Sequence, residues 1–251
     1  MIRPLVNLLK FVYTIYVAII FVITLIITLP FFFLFAWTLG DKSLLPIMYL
    51  CRFIAYCLMI FCGIIYRFHP NKNINKKKTY VIISNHRSNL DAPTAAVACW
   101  GRVRYLAKTE LLKIPLLGQL FSVTTINVDR SSRESKRKSF DMMKHYLLKG
   151  DNIFIFPEGT RNKTENDALI PFKDGAFSIA IQTQTPILPI LIINTDKLMP
   201  NKKPLMQPGI IDIYYFDPID VTGLTETDLP ALKERVREMM RVNYNKLTMR
   251  R

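Results

Sequence analysis

Apolar positions fall into two textures along the chain. The stretch from Phe11 to Leu39 is uncharged and interrupted only by Pro30, longer than the roughly 20 apolar residues that cross a bilayer. It is too long for a signal-peptide core and lacks a small-x-small cleavage site, so it is expected to be retained. Pro30 is expected to kink the helix, or to end it before Phe31-Phe32-Phe33 meets the interface. Gly40-Asp41-Lys42-Ser43 reads as a turn. A second apolar stretch spans residues 44–66, with Pro46 and Arg52 in its first part. Two arrangements stay open: a second span with Arg52 near the headgroups, or a hairpin of both stretches embedded in one leaflet. Either returns the chain to its starting side.

From Thr79 the texture changes to short apolar runs alternating with helical periodicity. Strands are expected at Thr79–Ser84, Arg102–Ala107, Thr124–Val128, Asn152–Phe156, Ile187–Ile193 and Ile210–Phe216. Helices are expected at Asp91–Trp100, Ser131–Lys149 and Asp174–Gln182. After Asp228, Leu229, Leu232, Val236, Met240, Tyr244 and Leu247 repeat at three and four residues, the pattern of an amphipathic closing helix. The fold class is therefore α/β, a largely parallel central sheet flanked by helices, preceded by a hydrophobic two-helix membrane anchor. Residues 1–67 form the anchor, 68–78 a basic linker and 79–251 the domain.

Charge adds direction. The chain carries 34 Lys and Arg against 19 Asp and Glu, a formal net charge of +15, while half its residues are hydrophobic. A basic balance suits a polyanionic partner, and the apolar N-terminus selects membrane lipids over nucleic acid. Arg3 and Lys10 before the first stretch, with Arg67, Lys72 and Lys76–Lys78 after the second, place the domain at the cell membrane, facing the cytoplasm. Each of those lysines can add about 1 kcal/mol of attraction to an anionic leaflet. Arg133, Lys136, Arg137 and Lys138 form the densest cluster, read as a solvated helix face because no aromatics interleave with them. The four cysteines form no CxxC pair, and no His/Cys/carboxylate spacing suggests a metal.

Two constellations carry chemistry. His86 follows an apolar strand and Asp91 opens a helix, so the histidine sits on a strand-to-helix turn, where open α/β sheets bind ligands. Asp91 lies five residues on and shares no helix face with His86; the chain must turn for the two to meet. A carboxylate on one imidazole nitrogen would leave the other free to take a proton. Asp91 before Ala-Pro-Thr is equally good helix-start chemistry. Farther on, Glu158-Gly159-Thr160-Arg161 follows a buried strand. Gly159 permits an unusual backbone angle that can aim its neighbours into a crevice, and an arginine fork suits a phosphate monoester.

Several blocks agree in order and spacing with one family. Asn85-His86-x4-Asp91, Lys108-x-Glu110-Leu111 with Pro115 and Gly118, Ile126-Asn127-Val128-Asp129-Arg130, Phe156-Pro157-Glu158-Gly159-Thr160-Arg161, Phe172-Lys173-x-Gly175-Ala176 and Pro186-Ile187-Leu188-Pro189-Ile190 together resemble the lysophospholipid and glycerolphosphate acyltransferase family. The likeness covers about residues 79–195. One block departs: it begins Phe121-Ser122-Val123 where the family often carries a glycine.

The resemblance implies transfer of a fatty acyl group from a thioester, acyl-CoA or acyl-ACP as co-substrate, to the sn-2 hydroxyl of lysophosphatidic acid, giving phosphatidic acid. It implies His86 as general base, Asp91 as its orienting partner, and Glu158, Gly159, Thr160 and Arg161 around the glycerol phosphate, with Lys108 and Arg130 as further phosphate ligands. No cofactor and no metal is implied, and an acidic acyl carrier protein is a candidate partner. Two alternatives stay open: another acceptor (a different lysophospholipid, a lyso-aminolipid or glycerol-3-phosphate), or a non-catalytic, membrane-anchored protein that binds anionic lipid.

Overall fold

The structure is a computed structural model that describes residues 2–114, 117–164, 167–202 and 205–249. Helix α1 (Ile2–Leu39) is continuous through Pro30, so of the two outcomes expected there, a kink or a stop, the stop does not occur. A proline removes one helical hydrogen bond, and the rest of the ladder holds, as a helix able to cross a membrane requires. Thr14, Thr24, Thr28 and Thr38 each turn their hydroxyl back onto the carbonyl four residues earlier, at 2.6–2.7 Å. One 3₁₀ turn (Gly40–Ser43) leads into α2 (Leu44–Phe61). Pro46 falls in the first turn of α2, where its missing N–H would have had no helical partner. Both helices are long and apolar enough to cross a membrane.

The second apolar stretch does not continue to Tyr66 as one helix. Gly63, at φ +59°, turns the chain into strand β1 (Ile64–His69), in which Ile64 and Tyr66 are buried and Ile65 is exposed. That period-two burial was hidden because both faces of the strand carry apolar residues.

The remaining elements follow in order: β2 (Val81–Ser84), α3 (Asp91–Ala98), β3 (Val103–Lys108), α4 (Leu117–Thr124), β4 (Thr125–Val128), α5 (Arg133–Leu148), β5 (Asn152–Ile155), α6 (Gly175–Thr183), β6 (Ile187–Ile193), the single turn α7 (Thr195–Leu198), β7 (Gly209–Tyr215) and α8 (Leu229–Met249). Strand order is β1-β7-β6-β2-β5-β3-β4 in one seven-stranded sheet. The pairs β2–β6, β2–β5, β3–β5 and β3–β4 are all parallel. Every residue of β2, β5 and β6 is buried, as expected of parallel strands covered on both faces. Helix α5 starts on the Ser132 hydroxyl, which accepts the Ser135 amide at 3.1 Å, and buries Ser139, Met143 and Leu147. Helix α8 buries Leu229, Leu232, Val236, Met240 and Tyr244, the periodic face expected from the sequence.

By packing, the chain forms two units. One comprises the chain up to Phe68 with Arg87–Cys99 and Ile192–Ile213; the other comprises His69–His86, Trp100–Leu191 and the chain from Tyr214. Within the second, Asp151 is fully buried and pairs with Arg102 at 2.5 Å and Arg104 at 3.4 Å, while Arg104 lies over the Tyr146 ring at 4.1 Å. This network ties together the N-terminal ends of β3 and β5, opposite to the ends discussed below.

Gly118 is required by close approach: a Cβ there would stand 2.1 Å from the Leu112 carbonyl oxygen. Its block partner Pro115 lies outside the described residues. Replacing Gly118 by alanine forces backbone to move and should cost about 1–3 kcal/mol, read as a lowered midpoint in chemical unfolding of the detergent-solubilised protein.

Candidate active site

Because β2, β5, β3 and β4 run parallel, their C-terminal ends share one edge of the sheet. The loops leaving that edge carry His86 after β2, Glu158 after β5, Lys108 at the end of β3 and Arg130 after β4. At the usual strand spacing, the rows of β5, β3 and β4 lie about 5, 10 and 14 Å from β2. His86, Glu158 and the cations Lys108 and Arg130 thus gather at one end of the sheet, while the Asp151 network ties the other end.

His86 is held in three ways. Its ring lies flat on Phe156, centroids 4.0 Å apart and 14° from parallel, and Phe156 is itself backed edge-on by Phe154. Its main-chain N–H donates to Glu158 Oε1 at 2.7 Å. Its carbonyl accepts the Asn162 amide at 2.6 Å.

Glu158, expected as a ligand of the glycerol phosphate, is buried, and its second oxygen accepts the Ile170 amide at 3.1 Å. Its carboxylate thus braces two loops onto each other. The turn that makes this geometry runs through Gly159 at φ +72°, with the Gly159 amide bonded to the Phe156 carbonyl at 3.0 Å. Thr160 is exposed and Arg161 half-buried on the same turn. Asn162 closes it: Oδ1 accepts from the Thr164 amide at 2.9 Å and hydroxyl at 2.6 Å, and Nδ2 donates to the Asp167 carbonyl.

Arg130 stands exposed just past β4. Desolvation lowers its pKa and the Glu110 carboxylate raises it; an arginine remains cationic regardless. Asp129 is turned onto Ser131, whose hydroxyl and amide hold its carboxyl below the usual carboxylate range. Lys108 ends β3 exposed.

The residues after His86 form a tight turn of their own. Asp91 is fully buried, and Oδ2 accepts the amides of Arg87 at 2.6 Å and Ser88 at 2.7 Å. The carboxylate therefore folds the chain back on itself, as the five-residue spacing demands. Both nearby serines are engaged: Ser84 Oγ lies 3.3 Å from Asn85 Oδ1, and Ser88 Oγ donates to the Met199 carbonyl at 2.8 Å.

A family model described as acyltransferase matches residues 65–193, more than half of the chain and every loop of this sheet edge. The chain belongs to the acyltransferase family. Among curated relatives of this chain, 1-acyl-sn-glycerol-3-phosphate acyltransferase beta of Homo sapiens is 32% identical over 187 residues, 73% of this chain and 66% of the human protein. The Saccharomyces cerevisiae 1-acyl-sn-glycerol-3-phosphate acyltransferase is 32% identical, covering 65% of this chain and 55% of its own. That of Salmonella typhimurium is 31% identical, covering 64% of each. The chain thus spans somewhat under two thirds of the length of the curated relatives it matches. The crystal structure of the 1-acyl-sn-glycerophosphate (LPA) acyltransferase PlsC from Thermotoga maritima superposes with TM-score 0.77 over 98% of both chains, at 22% identity, and so shares the fold of this chain.

Two residues of the site were not singled out from the sequence. Phe156 is a member of a recognised block whose role as a platform is visible only in the stack. Asn162 follows that block, and its one sequence signal is the Asn-x-Thr spacing of an Asx turn.

Glu158→Ala removes an acceptor from two amides, each bond to a carboxylate being worth roughly 1.5–3 kcal/mol. The protein should lose about 3 kcal/mol or more of stability in chemical unfolding with no substrate present, a loss that a pure substrate ligand would not cause.

Proposed function

We propose that the protein moves a fatty acyl group from an acyl thioester to the sn-2 hydroxyl of 1-acyl-sn-glycerol-3-phosphate, giving phosphatidic acid for phospholipid synthesis. The observation that carries this reading is His86: a half-buried imidazole, stacked on Phe156 and fixed at both its main-chain groups, on a sheet edge that also bears Arg161, Lys108 and Arg130. The family membership and the substrate named for the curated relatives support the choice of acceptor.

In this mechanism His86 takes the proton of the sn-2 hydroxyl as that oxygen attacks the thioester carbonyl. The tetrahedral intermediate collapses with cleavage of the C–S bond, and the imidazolium returns its proton to the departing thiolate. General base catalysis of this kind contributes about 10²–10⁴ in rate. Asp91 orients the imidazole and stabilises its cation. The thioester is already activated, so no acyl-enzyme is required, consistent with Ser84 and Ser88 being engaged elsewhere.

Arg161, on the loop one strand from His86, holds the glycerol phosphate, with Gly159 and Thr160 lining the same turn. Glu158 contributes by holding His86 and its own loop. Lys108 and Arg130, two and three strands away, extend the attraction to the anionic substrate. Helices α1 and α2 dock the enzyme in the cell membrane, where acceptor and product reside, with the sheet-bearing domain on the cytoplasmic side. The basic surface draws in anionic lipid and an acidic acyl carrier protein when that is the donor.

The test is purified full-length protein given one labelled acyl group, as coenzyme A and as carrier-protein thioester, with a panel of acceptors. Lysophosphatidic acid should be the best acceptor; if it is the poorest, the substrate assignment falls. His86→Ala should reduce turnover at least 10²-fold while the protein still sediments with membranes. If the variant keeps full function, the protein is a lipid-binding module instead. Arg161→Ala should raise the acceptor KM roughly 10- to 100-fold, the equivalent of one or two charge-assisted hydrogen bonds. An unchanged KM would remove the phosphate from Arg161.

A further inference from the structure

The turn that follows His86 is gripped from outside as well as by Asp91. Arg87 Nε donates to Asp196 at 2.8 Å. The Arg87 carbonyl accepts from Asn201 Nδ2 at 2.5 Å, and Ser88 Oγ donates to the Met199 carbonyl at 2.8 Å. All three contacts come from residues 196–201, which leave the end of β6 through α7. This segment is itself set by a buried polar chain. Asn194 stands at φ +76°, a conformation its short polar side chain tolerates. Its Nδ2 donates to the Ile210 carbonyl at 3.1 Å and lies 3.5 Å from Asp212 Oδ2. Asp212, fully buried in β7, pairs with Arg67 at 2.8 Å. The left-handed residue redirects the chain at the end of β6, and two residues later Asp196 meets Arg87.

A part-buried ion pair is a poor way to gain stability, since desolvation offsets much of its attraction. It is an effective way to fix direction, because the planar guanidinium accepts few geometries. Arg87 and Asp196 keep side-chain exposures of only 12% and 25%, so water screens the pair little. The residue so fixed is the one covalently next to His86.

We propose that Asp196 is a positioning residue for acyl transfer: through Arg87, and together with Asn201, it holds the main chain of residues 86–88 so that the His86 imidazole faces the acceptor hydroxyl. This rests on the acyltransferase reading above. Displacing a catalytic group by about 1 Å can cost on the order of 10² in rate, so the effect belongs in kcat and not in substrate affinity.

The experiment compares full-length wild-type protein, Asp196→Asn, Asp196→Glu, Arg87→Ala and the double variant Arg87→Ala/Asp196→Asn in detergent. The readouts are kcat and KM for the acceptor, thermal unfolding, and amide hydrogen exchange of the peptide covering residues 84–92. The proposal expects kcat of Asp196→Asn to fall roughly 10- to 100-fold with KM within about threefold, and Asp196→Glu to recover part of the loss. It also expects the double variant to be no worse than the poorer single one, as partners in one interaction require, and exchange at 84–92 to quicken. Unchanged kcat, a loss confined to KM, additive single effects, or a loss no larger than the unfolded fraction would each overturn it. If the wild-type protein transfers no acyl group to any acceptor, the acyltransferase reading fails. Exchange at 84–92 then decides the positioning role: equal exchange in Asp196→Asn and wild type overturns it, and faster exchange upholds the grip on the turn.

Discussion

Main-chain hydrogen bonding at the end of β2 is the constraint on which the site depends. The strand stops at Ser84, and from there a chain that is still largely buried must find partners for each N–H and C=O without a neighbouring strand. The molecule answers with side chains and loops: Glu158 for the His86 amide, the Asn162 amide for its carbonyl, Asp91 for the next two amides and Asn201 for the Arg87 carbonyl. Five consecutive main-chain groups are satisfied this way. A backbone so fully bonded has few alternative conformations, and an imidazole on it inherits that definition. Acidic residues that look like chemistry in the sequence are here also the structural answer to an unpaired backbone.

The same accounting shapes the N-terminus, with a different solvent. In α1 each threonine hydroxyl returns to its own helix, and the proline is absorbed without breaking the element. Neither outcome would be favoured to the same degree in water, which competes for every exposed carbonyl. The apolar helices and the polar turn thus obey one rule, satisfied by the helix itself in the first case and by distant side chains in the second.

Much of the architecture was legible because it is periodic. Ile187–Ile193 and the spacing of Leu229, Leu232, Val236, Met240 and Tyr244 state their environment directly, as a strand covered on both faces and as one helical stripe. Strand β1 was not legible, because Ile64–His69 is apolar on both faces and merges with the helix before it. Within the site, the strand-end positions of His86, Lys108, Arg130 and the Glu158–Arg161 turn could be read from run and loop boundaries. The use of the Glu158 carboxylate could not: its two amides lie 72 and 12 residues away, and pairing over such distances leaves no period in the sequence. Asn162 and Asp196 escaped for the same reason, being ordinary polar residues until the fold gives them something to hold.

The stack of His86 on Phe156 has a consequence in time. An imidazole seated flat against another ring can exchange its two edges only by lifting off that surface, so half-turns of the ring are suppressed while the stack lasts. While the ring is stacked, its two nitrogens keep separate identities, each tied to one edge. The phenyl ring, which has no chemistry of its own, thereby fixes which nitrogen faces which way.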